Sequence, residues 1–321
     1  MTRRVGSIEA PHRINVVLTN DRNKNYYSLS DSFSKLRSED HGAMPHDRFF
    51  QIIKELDHLV GMKEVKDLIY EIYALLYINQ CRRKRGLKAD SQVLHMVFRG
   101  NPGTGKTTVA RIVGRLFKEM GVLSKGHLVE VERADLVGEY IGHTAQKTRE
   151  QIRKALGGIL FIDEAYSLAR GGEKDFGREA IDTLVKGLED YKTDFVLILA
   201  GYSNEMDEFL NSNPGLPSRF PIQVSFPDYR LDELMQIAEM MLEQREYQLS
   251  SYARQKLRKH LQSQMHHPHR RFSNARHVRN IIEKSIRYQA VRLIQKTNPS
   301  KEDLITIGSD DLHCESSSGL W

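Results

Sequence analysis

The fold is decided by the stretch Gly100-Asn101-Pro102-Gly103-Thr104-Gly105-Lys106-Thr107-Thr108. It follows the apolar run from Val93 to Phe98 and precedes a segment with helical periodicity, so a glycine-rich turn joins a strand to a helix. This is the arrangement of the phosphate-binding loop of ATPases and GTPases, in which backbone N–H groups and the positive end of the helix hold a polyphosphate. All residues from Gly100 to Thr108 are therefore predicted to bind a nucleoside triphosphate.

Two side chains of this loop are expected to act chemically. The Lys106 ammonium would reach the β- and γ-phosphates, and the Thr107 hydroxyl would be a ligand of Mg²⁺. The predicted cofactors are accordingly ATP and Mg²⁺.

A second motif, Ile159–Ala165, ends a continuous apolar strand in two carboxylates, Asp163 and Glu164. Open α/β sheets bind their ligands at the carboxyl ends of the strands, where these two side chains would lie. Asp163 is expected to hold Mg²⁺ through water, and Glu164 to polarise the water that attacks the γ-phosphate. The pair favours hydrolysis over nucleotide binding alone.

The composition is that of a globular protein of the reducing cytoplasm. The 321 residues include two cysteines, Cys81 and Cys314, which is too few for a disulfide scaffold. Neither a signal peptide nor a membrane span is expected, because the longest apolar runs fall well short of roughly 18 residues. The net charge of +6 is uneven, with thirteen lysines and arginines against two glutamates between Arg245 and Lys296.

The order of elements predicts an α/β domain followed by an all-helical one. Strands at Val93–Phe98, 128–131, 159–162 and 195–199 alternate with helices, which indicates a parallel sheet flanked by helices on both faces. After residue 228 the pattern is helical throughout. We predict an N-terminal appendage over 1–44, an α/β nucleotide-binding domain over 45–228, a small helical lid over 229–310 and a tail over 311–321.

Over residues 45–310 the sequence resembles the AAA+ ATPases, within them the CbbX/CfxQ-type subfamily of red-type Rubisco activases and a bacterial sporulation protein. The resemblance is closer to the sporulation branch. It is carried by these segments: Leu59–Met62, Gly100–Thr108, Leu136–Thr144, Gly157–Leu168 and Phe226–Tyr229. The resemblance implies a ring, usually a hexamer, with ATP at the subunit interfaces, and it assigns Val60 and Gly61 to nucleotide binding.

The resemblance also implies roles for two arginines. Arg219 matches the arginine finger, which completes the site of the neighbouring subunit; the alternative is a surface ion pair. Arg276 matches the second sensor of the γ-phosphate, and Arg279, one helical turn further on, is the alternative. The first sensor departs from the common family pattern, and Tyr202, Ser203 and Asn204 all stay open for that role.

Two loops match pore loops of threading relatives. Tyr140, Ile141 and Gly142 have the aromatic–hydrophobic–glycine pattern that grips a polypeptide, because a tyrosine ring offers a large contact area whatever the sequence of the chain it touches. The alternative is a tyrosine packed on its own domain. Residues 170–175 match a second pore loop, or equally a surface turn.

The leading hypothesis is a homo-oligomeric ATPase that remodels a protein client through a hexamer pore, in spore formation. A red-type Rubisco activase-like remodeller is the sibling alternative. The basic segment 245–296 motivates a weaker hypothesis, a nucleic-acid motor or loader, although contacts with acidic neighbouring subunits explain such charge as well. A phosphotransferase is disfavoured by Glu164 and Arg219.

Overall fold

The computed structural model describes residues 47–89, 92–140, 142–171, 175–213, 215–266 and 272–313. The predicted appendage over 1–44, Ile141 of the predicted pore loop, and most of the predicted tail lie outside these residues.

One sheet of five parallel strands forms the nucleotide-binding part, in the order β2-β3-β4-β1-β5. The strands are β1 (Met96–Gly100), β2 (Leu128–Val131), β3 (Ile159–Ile162), β4 (Val196–Gly201) and β5 (Ile222–Phe226). The predicted parallel sheet is confirmed. The edge strand β5 adds to the four predicted strands, and its alternation of polar Gln223 and Ser225 with apolar neighbours is the signal that could have revealed it.

Helices lie on both faces of the sheet and make up most of the second, helical part. They are α1 (Asp47–His58), α2 (Lys63–Lys84), α3 (Lys106–Glu119), α4 (Arg133–Leu136), α5 (His143–Ala155), α6 (Gly177–Asp190), α7 (Ser203–Ser212), α8 (Leu231–Glu243), α9 (Ser251–Met265), α10 (Asn274–Leu293) and α11 (Lys301–Ile305). A 3₁₀ turn covers Ala165–Ala169. Two short strands, β6 (Gln248–Leu249) and β7 (Thr306–Ile307), pair in the part that was predicted to be helical throughout.

The buried side chains of β1 alternate between two hydrophobic clusters, as the period of a strand requires. Met96 and Phe98 pack with α1, α2 and α3 on one face, whereas Val97 packs with α5, α6 and α7 on the other. A third cluster, formed by α8, α9 and α10 around Leu234 and Leu257, is the core of the helical part. The sheet is therefore buried on both faces, which explains its continuous apolar runs.

The bounds of β1, the bounds of β4 and the connection after β2 differ from the prediction, and β4 covers Val196–Gly201 where 195–199 was predicted. The strand predicted over Val93–Phe98 begins three residues later and continues to Gly100. Val93 is 43% exposed, and Met96 is the first residue of the run that pairs with a neighbouring strand. The short helix α4 interrupts the loop predicted between β2 and the next helix. The first difference places the phosphate loop directly at the strand's end.

The carboxyl ends of β1, β3 and β4 lie at one edge of the sheet, since all three strands are parallel. β4 lies between β1 and β3, so the ends of β1 and β3 are two strand spacings apart, about 10 Å. This edge holds both motifs singled out in the sequence.

Candidate active site

The phosphate loop turns tightly between β1 and α3. Gly103 and Gly105 have φ angles of +72° and +95°, in the left-handed region that glycine enters without strain. At Gly100 the reason for glycine is proximity, because a Cβ there would lie 2.3 Å from the carbonyl oxygen of Phe226 in β5. The predicted loop therefore has the backbone shape that lets its N–H groups converge at the start of α3.

Lys106 begins α3 and folds back over the loop. Its Nζ donates to the carbonyl oxygens of Gly100 at 2.8 Å and Asn101 at 2.9 Å. Burial lowers the pKa of Lys106, the Asp163 carboxylate raises it, and the Arg276 guanidinium lowers it again. The pKa of Lys106 thus responds both to Asp163 of the acidic motif and to Arg276 of the helical part.

The acidic pair ends β3. The Asp163 carboxylate accepts a hydrogen bond from the Glu164 N–H at 2.9 Å, and the Asp163 N–H donates to Val131 on β2 at 3.0 Å. Glu164 has a left-handed backbone, with a φ of +47°, which is uncommon outside glycine and recurs at functional sites. The turn leaves Glu164 exposed and Asp163 half-buried at the edge where the phosphate loop lies.

The residues at this edge fit MgATP. Thr107 and Asp163 supply a hydroxyl and a carboxylate, the hard oxygen ligands that Mg²⁺ prefers together with phosphate oxygens. The glycine positions of the loop have no room for side chains, and Lys106 supplies a cation. Thr108, next along α3, is exposed, so its predicted contact with the nucleotide depends on its backbone or hydroxyl facing the same side.

The turn between α1 and α2 also lies close to the phosphate loop. A Cβ at Gly105 would lie 2.2 Å from the Met62 Cε, and a Cβ at Gly61 would lie 2.9 Å from the Glu233 Oε1 on α8. Gly61 has a φ of +67°, and Val60 packs on the core of the helical part. The structure thus brings the predicted Val60 and Gly61 between the phosphate loop and the helical part.

The start of α10 lies directly against the loop. A Cβ at Gly103 would lie 2.2 Å from the carbonyl oxygen of Ser273 and 2.8 Å from the backbone nitrogen of Arg276. Arg276 is therefore the arginine next to the loop, while Arg279 lies one turn further along the helix. This geometry favours Arg276 over Arg279 for the second sensor.

Tyr166 connects the acidic pair to the end of β4. Its ring lies 5.9 Å from that of Tyr202, and a Cβ at Gly201 would lie 2.7 Å from the Tyr166 Cδ1. Burial and the Glu164 carboxylate raise the pKa of Tyr166 to about 12. Of the three residues predicted for the first sensor, Tyr202 contacts the ring of Tyr166, and Ser203 and Asn204 begin α7.

Arg219 lies before β5. Its guanidinium forms an ion pair with Glu189 at the end of α6 and donates to the carbonyl oxygen of Gly215 at 2.7 Å. Within one chain, Arg219 thus forms the surface ion pair that the alternative interpretation expects. Its side chain is 30% exposed.

Tyr140 projects from the loop before α5. It is 65% exposed, and its ring meets the edge of His143 at 5.4 Å. Gly142, with a φ of +82°, caps α5. Of the alternative, a tyrosine packed on its own domain, the structure shows the contact with His143, which leaves most of the side chain accessible.

Three residues of the site lack a role in the sequence prediction. Asp228, Tyr229 and Asn274 form hydrogen bonds around the phosphate loop, with the Asn101 side chain donating to both Asp228 oxygens at 2.9 Å. Asp228 and Tyr229 belong to a segment that carried the resemblance, which was the available signal. Asn274 lies two residues before Arg276, in the segment matched to the second sensor, but its own hydrogen-bond partners are distant in sequence.

Two family models match the chain. Residues 96–228 match the ATPase family associated with various cellular activities (AAA), and residues 230–319 match the AAA lid domain. The stage V sporulation protein K of Bacillus subtilis is 63% identical over 268 residues, which cover 83% of each chain. The chloroplastic ribulose bisphosphate carboxylase/oxygenase activase of Cyanidioschyzon merolae is 45% identical over 266 residues, 82% of this chain and 90% of that one. Proteins named CbbX and CfxQ homolog are related at 45% to 48% identity.

Among solved structures, a RuvB mutant of Thermotoga maritima is similar in fold. It has a TM-score of 0.51 and 19% identity, with 80% of this chain and 69% of that chain covered. At this identity the likeness concerns the fold alone.

Within the described part of the chain, none of the helices combines the length and the apolar character needed to cross a membrane.

The phosphate loop and the acidic pair lie within the residues that match the AAA family, and the helical part lies within those that match the AAA lid domain. The chain belongs to the AAA ATPases, as an ATP hydrolase whose AAA domain is followed by an AAA lid domain and whose relatives include CbbX/CfxQ-type proteins.

Proposed function

We propose that this ATPase assembles into a homo-hexameric ring and uses ATP hydrolysis to remodel a protein client drawn into its central pore. The observation that carries the proposal is a pair of features in one domain. Lys106 and the acidic pair lie at one edge of the sheet, and the exposed Tyr140 projects from a different loop. The same chain thus contains a site for ATP hydrolysis and an exposed aromatic side chain that would contact a client.

The hydrolytic step follows from the side chains at the sheet edge. Lys106 and the loop N–H groups would hold the β- and γ-phosphates, and Thr107 and Asp163 would hold Mg²⁺, which neutralises phosphate charge when bound. Glu164, exposed beside Asp163, would orient the attacking water and accept its proton.

Arg219 supports an assembled site. Its ion pair with Glu189 is at the surface and exposed, so such a pair contributes little energy, about 0–1 kcal/mol. In a ring, the guanidinium would leave Glu189 for the phosphates bound by the neighbouring subunit, where it would stabilise the charge of the transition state.

The client is proposed from the relatives. Stage V sporulation protein K points to a client in spore formation, at 63% identity. The Rubisco activase relative, at 45% identity, supports the alternative of a red-type activase-like remodeller with the same mechanics. The cytoplasm is the proposed compartment.

A nucleic-acid motor is the second candidate, and the observation behind it is the charge of residues 245–296. Several of these cations are already engaged in ion pairs, among them Arg254 with Glu239 and Arg258 with Asp232. Binding of DNA or RNA with a steep dependence on salt would favour this candidate over the protein remodeller.

The test is the variant Glu164→Gln, with the exposed Glu208→Gln on α7 as its matched control. We expect Glu164→Gln to bind ATP normally, to form stable rings with ATP, and to hydrolyse it about 10² to 10⁴ times more slowly, because the base is lost and the phosphate contacts are kept. Binding by calorimetry, mass by light scattering and phosphate release are measured. Crosslinking of these rings in spore-forming cells then identifies the client.

Three results would contradict the proposal. They are hydrolysis by Glu164→Gln at the rate of the control, ATP-bound protein that stays monomeric, and phosphate release that requires a small-molecule acceptor.

A further inference from the structure

Three consecutive carbonyl oxygens of the phosphate loop accept hydrogen bonds from the lid side of the molecule. The Asn274 side chain donates to Pro102 at 3.3 Å, the Ala275 N–H donates to Gly103 at 3.2 Å, and the Tyr229 hydroxyl donates to Thr104 at 3.2 Å. Tyr229 lies two residues before α8, and Asn274 and Ala275 begin α10. These three carbonyl oxygens of the loop are thus held from the lid side.

These bonds determine where the loop N–H groups point. In a trans peptide the C=O of one residue and the N–H of the next lie in one rigid plane and point in opposite directions. Fixing the carbonyls of Pro102, Gly103 and Thr104 on the lid side therefore turns the N–H groups of Gly103, Thr104 and Gly105 to the other side. Those N–H groups immediately precede Lys106, the first residue of α3.

Asn274 is built into this arrangement rigidly. It is fully buried, and its φ of +48° is left-handed, which asparagine tolerates better than most residues. Its Oδ1 accepts from the Tyr229 N–H at 3.0 Å, and its Nδ2 also faces the Asp228 Oδ1 at 2.8 Å and the carbonyl oxygen of Phe272 at 3.3 Å. Asn274 thereby fixes Tyr229, the second donor to the loop.

Asp228 connects the Asn274 side chain to Asn101 of the phosphate loop. Its carboxylate accepts from the Asn101 side chain, and the Asn101 carbonyl oxygen in turn accepts from Lys106 Nζ at 2.9 Å and from the Thr104 hydroxyl at 2.8 Å. Residue 228 is also where the match to the AAA domain ends. The boundary between the two domains is therefore part of the phosphate site.

We propose that Asn274 and Tyr229 are positioning residues for nucleotide binding, which orient the N–H donors of the phosphate loop by holding its carbonyls from the lid. This proposal rests on the nucleotide site assigned under the proposed function. It concerns the diphosphate that ATP and ADP share, because those donors belong to the loop itself. Arg276, in contrast, is proposed to contact the γ-phosphate, which ADP lacks.

The experiment compares the affinities for ADP and ATP by calorimetry, with Glu164→Gln as the background for ATP. Tyr229→Phe removes one hydroxyl and keeps the ring, and Tyr252→Phe, on a lid tyrosine that is 77% exposed, is the matched control. We expect Tyr229→Phe to weaken ADP and ATP equally, by about fivefold, as the loss of one neutral hydrogen bond would. Asn274→Gly keeps the left-handed backbone and is expected to weaken both by tenfold or more, on the order of two such bonds.

Arg276→Ala provides the contrast, since it should weaken ATP more than ADP. Affinities of Tyr229→Phe equal to those of the Tyr252→Phe control would overturn the proposal, and so would a loss confined to ATP. A structural role alone would lower the fraction of binding-competent protein and leave the Kd of that fraction unchanged, which is also a refuting result. If Asn274→Gly does not fold, Tyr229→Phe decides alone. Absence of hydrolysis would refute the proposed function while leaving this comparison valid.

Discussion

His95 shows how a single buried side chain couples this fold to pH. It directly precedes β1, is 2% exposed, and its Nδ1 accepts the Leu197 N–H from β4 at 3.1 Å. An acceptor at Nδ1 requires the neutral ring, with its proton on Nε2. Burial lowers the pKa of His95 to about 4. The sheet therefore depends on an uncharged imidazole.

We expect His95 to make the protein less stable as the pH falls. The unfolded chain protonates this histidine near pH 6.5, whereas the folded protein resists down to about pH 4, so the unfolded state binds more protons between these values. The free energy of unfolding should fall by up to about 1.4 kcal/mol per pH unit below pH 6 from this group. Urea unfolding at pH 7 and pH 5 measures the effect.

His95→Gln is the comparison, because its amide oxygen can accept the same N–H and does not titrate. Its stability should depend less steeply on pH than that of the wild type. Equal slopes for the two proteins would show that His95 is not the group responsible. His260 and His277, whose pKa values burial also lowers, remain in both proteins.

At the scale of elements, the phosphate loop and the start of α10 are packed with no space for a side chain between them. The loop glycines are fixed by two different causes, a left-handed backbone and contact with a neighbouring element. Gly86 and Gly103 separate these causes, since both have a φ of +72°, while a Cβ at Gly86 meets nothing within 4 Å and one at Gly103 lies 2.2 Å from the Ser273 oxygen.

We expect Gly86→Ala to cost only the strain of a left-handed alanine, about 1–2 kcal/mol, and to leave the Kd for ADP unchanged. Gly103→Ala adds a collision with the backbone of the lid, so it should also weaken ADP by tenfold or more, on the order of a hydrogen-bonded contact or two. Thermal unfolding and calorimetry measure the two quantities. Equal ADP affinities for the two variants would show that the lid does not press on the loop.

Element identities were predictable from sequence where the pattern was strong. The runs 128–131 and 159–162 match β2 and β3 as predicted, because 159–162 is continuously apolar, 128–131 contains Glu130 as its single polar residue, and an acidic residue follows each run. The start of β1 was wrong by three residues, since an apolar pattern does not reveal where pairing with β4 and β5 begins. Asp228 and Asn274 were missed for the same reason: their hydrogen bonds join segments that the sequence separates.

At the scale of the whole molecule, Arg219 is paired with Glu189 in a single chain. We expect Arg219→Ala to assemble and to hydrolyse ATP at least 10³ times more slowly, as loss of an arginine finger does. Adding Lys106→Ala subunits, which bring intact Arg219 but no nucleotide site, should restore part of the turnover in mixed rings. Phosphate release against mixing ratio measures this.

Mixing provides its own control. Lys106→Ala mixed with a protein carrying both Lys106→Ala and Arg219→Ala should stay inactive, because no complete site can form. If mixing Arg219→Ala with Lys106→Ala restores no activity although mixed rings are detected, Arg219 does not act across the subunit boundary.

The prediction for Tyr140 concerns how the ring would hold its client. Because its ring is 65% exposed, Tyr140→Ala should remove contact with a client without disturbing a core. Capture of the client by Glu164→Gln rings is expected to fall at least tenfold, roughly the loss of one aromatic contact. Tyr252→Ala, on the lid, is the control and should capture normally. Undiminished capture by Tyr140→Ala would remove this residue from the pore.

By itself, the sequence determined the chemistry of the site. Its phosphate loop and acidic pair are local motifs, in which the spacing of a few residues fixes the backbone shape and the charges. Such motifs can be recognised without knowledge of the tertiary structure. The tertiary structure decided what holds that chemistry in place. It set Arg276 instead of Arg279 beside the loop, paired Arg219 with Glu189, and brought Asn274 and Tyr229 onto the carbonyls of the loop. Such contacts join distant segments, and only the packing of the lid against the sheet creates them.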